Sequence, residues 1–166
     1  MYLTNRFFWL FGASAAMFAV AYPFGWLFPL AQTAFVGFLG LVLTDWMLLF
    51  LRKPKVICKR ELNPVFSLSD PNLVKLFIEN QGNIHLNISI ADELPVQFQK
   101  RDFEIKIALP AGQAYLAENK LVPLTRGIYS SGNLNVFTST RLGLVERRLI
   151  FEQPQDVDVY PSIIQM

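Results

Sequence analysis

The chain has 166 residues, a formal net charge of +2 and a mean hydropathy of +0.32, which is high for a water-soluble domain. Residues 61–166 carry 9 Lys and Arg against 12 Asp and Glu, which argues against nucleic acid as a partner, since such a domain needs a basic face. The single cysteine, Cys58, and the single histidine, His85, exclude an internal disulfide and a metal site of Cys/His spacing.

The apolar excess lies at the N-terminus, in two stretches of about residues 7–22 and 30–51. Between them, residues 23–29 contain two prolines and a glycine that interrupt a helix, and their aromatic side chains suit a membrane interface. A bilayer core is crossed by roughly 20 helical residues. We therefore expect residues 1–53 to form a two-span transmembrane hairpin with a short outer loop.

Basic residues set the expected orientation. Arg6 precedes the first stretch, the loop has no basic residue, and a basic cluster follows the second stretch: Arg52, Lys53, Lys55, Lys59 and Arg60. The positive-inside rule places both termini in the cytoplasm, and we expect the cluster to lie on anionic headgroups. A cleavable signal sequence is the alternative, since small residues at 19–21 follow Arg6 and an apolar core.

Asp45 is the one ionisable residue other than tyrosine between Phe7 and Leu51. A charge within a membrane span is costly and is usually paired or functional. We expect Asp45 to pair with Arg6 across the hairpin or with Arg52 two turns later. A partner-binding or proton-transfer role is the alternative.

Beyond residue 53, short alternating and β-branched segments replace the long apolar stretches. Many short strands at about ten-residue spacing, with no helical period between them, predict an all-β, Ig-like β-sandwich over residues 54–162. Leu86, Ile88 and Ile90 alternate with polar or small residues and predict one buried face. The expected strands are 55–62, 72–79, 85–91, 103–109, 113–122, 128–138, 144–151 and 157–160.

The polar half carries no catalytic motif: it has no Gly-rich phosphate loop, no HExxH and no Gly-x-Ser-x-Gly. Its acid pairs, Asp92–Glu93 and Asp156/Asp158, have no histidine beside them to define an acid and a base. We therefore expect a protein that is not an enzyme and needs no cofactor.

Residues 122–148 carry the most distinctive pattern of the chain. Gly127 and Gly132 suit backbone positions with a positive φ or a close approach. Tyr129 is expected to bury its ring and bind backbone through its hydroxyl near a sheet corner. Gly143 is expected to make a tight turn into the following strand.

Three arginines accompany these glycines: Arg126, Arg147 and Arg148. Arg126 is expected to pair with an acid or with carbonyl groups at a strand end. Two interpretations of the whole motif stay open, a structural framework of the sandwich and a docking surface around the three arginines.

This pattern resembles the family called domain of unknown function fifty-eight. In that family a transmembrane hairpin precedes a β-rich region with a Pro-x-x-Arg-Gly-x-Tyr-x-x-Gly motif, a Leu-Gly-Leu-x-x-Arg segment and a Tyr-Pro. The matching residues here are 123–132, 142–147 and 160–161, together with 92–95 and Asp45 ahead of a basic segment. The family continues into a von Willebrand A-like domain that this sequence lacks, so residues 163–166 are expected to begin the linker to it.

The resemblance implies a bacterial inner-membrane accessory protein that works with a MoxR-type AAA+ ATPase and other membrane proteins in protein maturation or assembly. The alternative function is a membrane-tethered β-sandwich that binds a peptide or an envelope protein, with no link to an ATPase.

Overall fold

A computed structural model describes residues 1–52, 54–92 and 104–161. Its two helices are α1 (Asn5–Ala21) and α2 (Phe28–Phe50), and a 3₁₀ turn (Gly25–Leu27) joins them. The Thr4 hydroxyl accepts a hydrogen bond from the Phe7 N–H and so caps α1. Pro23 lies just beyond the end of α1, where a proline prevents the helix from continuing. Pro29 is tolerated in the first turn of α2, because the backbone nitrogen at that position has no hydrogen-bond partner within the helix.

The helices run antiparallel, because the ring of Phe7 at the start of α1 contacts Phe38, whereas Phe18 near its end contacts Phe28 and Phe35. By length and composition, one candidate membrane span is found in the described residues, Gly25–Phe50. The other predicted span is the 17-residue α1, which is shorter than the roughly 20 residues that cross a bilayer core. The structure thus supplies one candidate membrane span near the N-terminus. A signal sequence in this position would meet the same criteria of length and composition.

Eleven strands form the rest of the described chain. Their bounds are β1 Tyr2–Leu3, β2 Val56–Leu62, β3 Val65–Ser67, β4 Asn72–Asn80, β5 Leu86–Asp92, β6 Glu104–Leu109, β7 Ala114–Leu121, β8 Gly127–Ser131, β9 Leu134–Ser139, β10 Val145–Phe151 and β11 Gln155–Tyr160.

The strands form three sheets, in the orders β1-β10-β9-β5-β6, β2-β4-β7 and β3-β11-β8. The five-stranded sheet packs on β2-β4-β7 through a core that joins Ile88 and Val136 of the first sheet to Cys58 and Ile78 of the second. A second core cluster joins β3-β11-β8 to β4 and β7. The domain is therefore a β-sandwich, and the buried face of β5 is the one that the alternating pattern predicts.

The predicted strand 128–138 is divided in the structure. β8 pairs with β11 in one sheet, whereas β9 pairs with β5 and β10 in another, so Gly132 and Asn133 carry the chain from one sheet to the other. Composition does not reveal this change, since β-branched or aromatic residues typical of strands occur both before it, at Ile128 and Tyr129, and after it, at residues 136–138. The edge strands β1 and β3 are absent from the prediction because strands of two and three residues are too short to show an alternating pattern.

The end of α2 belongs to the sandwich as much as to the helix pair. Leu49 is fully buried in the larger core cluster, and Val42, Trp46 and Phe50 pack against that cluster. The opposite face of the helix stays exposed at Leu43, Met47 and Leu51, which are four residues apart and so share one face.

The expected basic cluster is not one surface. The Arg60 side chain is buried and donates hydrogen bonds to the carbonyl oxygens of Gly132 at 3.0 Å and Gln153 at 2.6 Å. Arg52, Lys55 and Lys59 are exposed, and Lys53 lies outside the described residues. The expectation that Arg60 lies on headgroups is wrong, because β2 directs alternate side chains into the sandwich.

Candidate functional site

A buried carboxylate joins the helix pair to the sandwich. Asp45 on α2 is fully buried, and its observed partners lie within residues 140–145, which comprise the loop between β9 and β10 and the first residue of β10. The N–H groups of Leu144 and Val145 donate to Oδ2 at 2.8 and 2.9 Å, and the Thr140 hydroxyl donates to Oδ1. We call this set the helix–sandwich joint.

The joint satisfies the requirements of a buried charge. An ionised carboxylate can only accept hydrogen bonds, and residues 140–145 offer three donors to Asp45. Hydrogen bonds to a charged acceptor are worth roughly twice those between neutral groups. The arrangement therefore fixes the loop on α2, and with it the position of the five-stranded sheet.

The expected partners of Asp45 are wrong. Among the described residues, neither Arg6 nor Arg52 forms an ion pair with it, and backbone N–H groups about 100 positions away take their place. The loop between β9 and β10 covers Asp45. Its burial is explained by the packing of α2 on the sandwich.

The N-terminus holds the same loop from the other side. The Thr4 N–H donates to the Leu144 carbonyl oxygen at 3.2 Å, and the Thr4 hydroxyl donates to the Gly143 carbonyl oxygen at 2.5 Å. Arg6 Nη1 lies 3.4 Å from the Leu142 carbonyl oxygen. Gly143 has φ 62°, and a Cβ there would lie 3.2 Å from the Arg6 guanidinium. The predicted tight turn is present, and it is also a point of close approach.

The two arginines of β10 stabilise opposite faces of the strand. Arg147 donates to the Leu49 carbonyl oxygen at 3.2 Å, and its guanidinium lies 5.2 Å from the centre of the Phe50 ring. Arg148 donates through two nitrogens to Asn135 Oδ1 at 2.7 and 3.0 Å. Arg147 thus reinforces the helix–sandwich joint by binding an end carbonyl of α2.

The remaining motif residues lie at the corner that opens β8. The Tyr129 ring is buried, and its hydroxyl donates to the Thr125 carbonyl oxygen at 2.6 Å, as the sequence predicts. Gly127 has the expected positive φ of 146°, whereas Gly132 is not among the described glycines with a positive φ. Arg126 is exposed, and no hydrogen bond or ion pair of its side chain is found within the described part of the chain.

The structure does not bring the three arginines together. Arg126 precedes β8 of the sheet β3-β11-β8, whereas Arg147 and Arg148 lie on β10 of the five-stranded sheet and face opposite sides of it. Two of the three have structural partners within the chain. A structural framework accounts for most of this motif.

A cavity of about 700 Å³ lies where the N-terminus crosses the outer face of the five-stranded sheet. Partial burial raises the pKa of Glu146 in its wall, and the charge of Glu104 adds to this effect. A hydrogen bond from Ser89 and another from Lys106 lower the pKa of Glu104. Ser89 and Lys106 are therefore the groups that keep Glu104 ionised beside a less acidic Glu146.

These groups do not form a recognisable catalytic set. Both glutamates lie on a mostly open sheet face, and the partner of Glu104, Lys106, is exposed in a 2.9 Å ion pair with it. Within the described ranges, no group of three or more His, Cys, Asp or Glu side chains has the geometry to hold a metal ion. The acid pair Asp92–Glu93 and residues 93–95 of the motif extend outside the described residues, as do the linker residues 163–166.

The sequence analysis did not identify Thr4 and Thr140. Thr140 donates to Asp45 in the helix–sandwich joint, and Thr4 binds the same loop from the N-terminal side. Thr4 offered a local signal, since threonine directly before a helix is a typical N-cap. Thr140 offered none, because its partner lies 95 positions away.

No family model and no curated protein matches the chain. Solved structures align with about two thirds of it. The CARDB domain of the PF1109 protein from Pyrococcus furiosus, in complex with di-metal ions, is 13% identical with a TM-score of 0.46, over 67% of this chain and 97% of that one. The ASH/PapD-like domain of human CEP192 is 13% identical with a TM-score of 0.43, over 65% and 87%. A β-glucosidase from Listeria innocua is 17% identical with a TM-score of 0.36, over 64% and 16%. Similarity at this level carries no functional argument.

Proposed function

We propose that this protein is a membrane-anchored accessory or scaffold protein in which a helical hairpin holds an Ig-like β-sandwich at the cytoplasmic face of the bacterial inner membrane. The observation that carries this proposal is the helix–sandwich joint. Asp45 of α2 binds three donors of one sandwich loop, and Thr4 and Arg147 bind the same junction from two further sides. A sandwich held in this way keeps one orientation relative to its anchor.

The helix surfaces support a lipid environment for both helices. Large apolar side chains stay exposed along them, including Trp9, Leu10, Val36 and Leu43. A contiguous apolar surface of this kind is covered by a membrane or a partner in a stable protein. At the far end of the pair, Trp26 and its aromatic neighbours suit the opposite interface. Arg6 and Arg52 at the near end support a cytoplasmic sandwich by the positive-inside rule.

Reporter fusions test this placement directly. A C-terminal fluorescent protein is expected to be active in cells, a C-terminal alkaline phosphatase inactive, and a phosphatase inserted at Gly25 active. Activity of the C-terminal phosphatase would refute the cytoplasmic orientation. Release of the untagged chain from membranes by alkaline carbonate would refute the anchor itself.

The partner in this proposal is a MoxR-type AAA+ ATPase, which the sequence resemblance implies. The joint supports the role of a scaffold, because a module that positions an ATPase or its client has to resist rotation on its anchor. Nothing in the described residues offers a better-defined chemical activity. The protein would therefore act by placement rather than by catalysis.

Co-purification tests the ATPase link. The tagged chain, solubilised in mild detergent from cells that express a MoxR-type AAA+ ATPase, is expected to retain the ATPase. Asp45→Ala, which loosens the joint, is expected to retain less, and Thr44→Val on the exposed side of the same helix is the matched control. Absence of the ATPase beside the wild-type chain, when a protein of the resembled family that carries the von Willebrand A-like domain retains it, would refute the link.

A peptide-binding module is the second candidate, and the edge strand β7 favours it. Among the described strands of the sheet β2-β4-β7, this strand pairs with β4, and its Tyr115 and Leu116 are about half exposed. An extended peptide can add to such an edge through backbone hydrogen bonds. Leu116→Lys would abolish binding of a peptide at this edge, whereas it would leave an ATPase contact elsewhere unchanged.

A further inference from the structure

We propose that four exposed basic side chains around the helix–sandwich joint form a binding surface for anionic phospholipid headgroups. The four residues, which we call the basic collar, are Arg6, Arg52, Lys55 and Arg141. The inference deepens the proposed membrane anchoring and rests on it. The collar keeps Arg52 and Lys55 of the five-residue basic cluster of the sequence and adds Arg6 and Arg141, whereas Arg60 is buried and Lys53 lies outside the described residues.

The collar contains a preformed cavity. About 230 Å³ lies between the end of α2 and the turn that joins β4 to β5, and Arg52 and Lys55 are in its wall. The other described residues that line it are Pro54 and the uncharged segment 81–84, so that no acid opposes the two cations. A cavity with two cations and no anion among these residues is complementary to a phosphate group.

The turn beside this cavity is held in shape by the chain itself. The Gln81 N–H donates to the Lys55 carbonyl oxygen at 2.8 Å, and the Gly82 N–H donates to Asn80 Oδ1 at 3.0 Å. Asn80 is fully buried and also donates to carbonyl oxygens of the next turns. The wall opposite the cations is therefore rigid, which limits the entropy lost when a headgroup binds.

The exposed face of α2 places this cavity at the level of the headgroups. Leu43, Met47 and Leu51 form an uninterrupted apolar face that ends one residue before Arg52. Lipid chains that cover this face bring their phosphates next to Arg52. Long basic side chains at such a boundary extend to the phosphate layer while their stems stay on apolar surface.

Arg6 and Arg141 extend the collar to the other side of the joint. Arg6 Nη1 contacts the Leu142 carbonyl oxygen, so the start of α1 and the β9–β10 loop are neighbours. Arg141 is exposed, and Leu142 beside it is 40% exposed. A basic residue next to an exposed leucine is suited to the boundary between phosphates and acyl chains.

The fold also supplies a matched control within the original cluster. Lys59 has the same charge and is exposed on β2, but it lies four residues beyond Lys55, about 13 Å along an extended strand. That distance exceeds the Debye length of about 8–10 Å at physiological salt. Lys59 therefore contributes little to a headgroup contact at the collar.

Native mass spectrometry of the full chain, released from nanodiscs of phosphatidylglycerol and phosphatidylcholine, tests the proposal. The wild-type chain is expected to retain phosphatidylglycerol preferentially. R52Q and K55Q are each expected to lower its relative affinity about fivefold, because each basic side chain near the surface contributes about 1 kcal/mol. R141Q is expected to act in the same direction through the separate part of the collar, and K59Q to leave retention unchanged.

Three results would overturn the proposal. Equal retention of the two lipids by the wild-type chain would show that the collar has no preference for anionic headgroups. An equal loss in K59Q would show that net charge alone is responsible. Saturation of the detergent-solubilised chain by inorganic phosphate at millimolar concentration, with no gain from phosphatidylglycerol, would identify a general anion site. Release of the chain by alkaline carbonate would instead refute the membrane anchor, so the two failures are distinguishable.

Discussion

Removal of the Asp45 carboxylate is the sharpest test of the helix–sandwich joint. Asp45→Ala leaves the buried N–H groups of Leu144 and Val145 without their acceptor, and each unsatisfied buried donor costs about 1–3 kcal/mol. The Thr140 hydroxyl loses its partner as well. We expect the free energy of unfolding to fall by about 3–5 kcal/mol, the usual cost of breaking a buried charged network. That is a large part of the 5–15 kcal/mol typical of a domain.

Unfolding of the full chain in detergent micelles measures this loss. Trp46 follows Asp45 and packs on the core, so its fluorescence reports on the joint when Trp9 and Trp26 are replaced by Phe. Thr44→Val is the matched control, since this exposed hydroxyl donates to the Leu41 carbonyl oxygen of its own helix, and we expect a change within about 0.5 kcal/mol.

A double-mutant cycle separates the joint from general damage to the helix. Thr140→Val alone is expected to cost about 1 kcal/mol, because it removes one hydrogen bond to the carboxylate. In the double variant with Asp45→Ala, the two losses are expected to be non-additive by about 0.5 kcal/mol or more, as for residues in one network. Additive losses, or an Asp45→Ala variant as stable as the control, would refute the reasoning.

Three further predictions concern the turn, the sheet corner and the half-buried acid. Gly143→Ala is expected to cost more than Gly112→Ala in the same unfolding assay: both have a positive φ, at 62° and 71°, worth about 1–2 kcal/mol, but only the first meets a neighbouring side chain. Equal losses of stability in the two variants would show that the close approach of Arg6 to Gly143 does not contribute. Tyr129→Phe keeps the buried ring and loses the hydrogen bonds of its hydroxyl to the carbonyl oxygen and the hydroxyl of Thr125, so we expect a loss of about 1–2 kcal/mol and faster tryptic cleavage after the exposed Arg126. Unchanged cleavage would show that these hydrogen bonds do not hold the corner that opens β8. Burial raises the pKa of Glu146, so the folded state binds its proton more tightly, and stability falls as the pH rises from 4.5 through the folded-state pKa. Melting temperatures measured over a pH series are expected to fall less steeply with rising pH in Glu146→Gln than in the wild-type chain. An unchanged slope would show that Glu146 does not cause the pH dependence of stability.

Local patterns predicted the parts of the fold that depend on neighbouring residues. The alternation at Leu86, Ile88 and Ile90 identified a buried strand face, because side chains on a strand point to opposite sides by turns. Gly127 was expected at a positive φ or a close approach and Gly143 in a tight turn, and both have a positive φ, since glycine lacks the Cβ that disfavours this region. The apolar composition of residues 30–51 likewise predicted a candidate span.

The sequence by itself determined that an apolar N-terminal part precedes an alternating, turn-rich β part, because composition and periodicity are properties of adjacent residues. Only the tertiary structure decided which groups meet across the chain. It gave Asp45 its donors about 100 positions away, placed Arg60 inside the sandwich and divided residues 128–138 between two sheets. A carboxylate or a guanidinium binds any suitable donor or acceptor within reach, and which ones come within reach depends on how the sheets and helices pack.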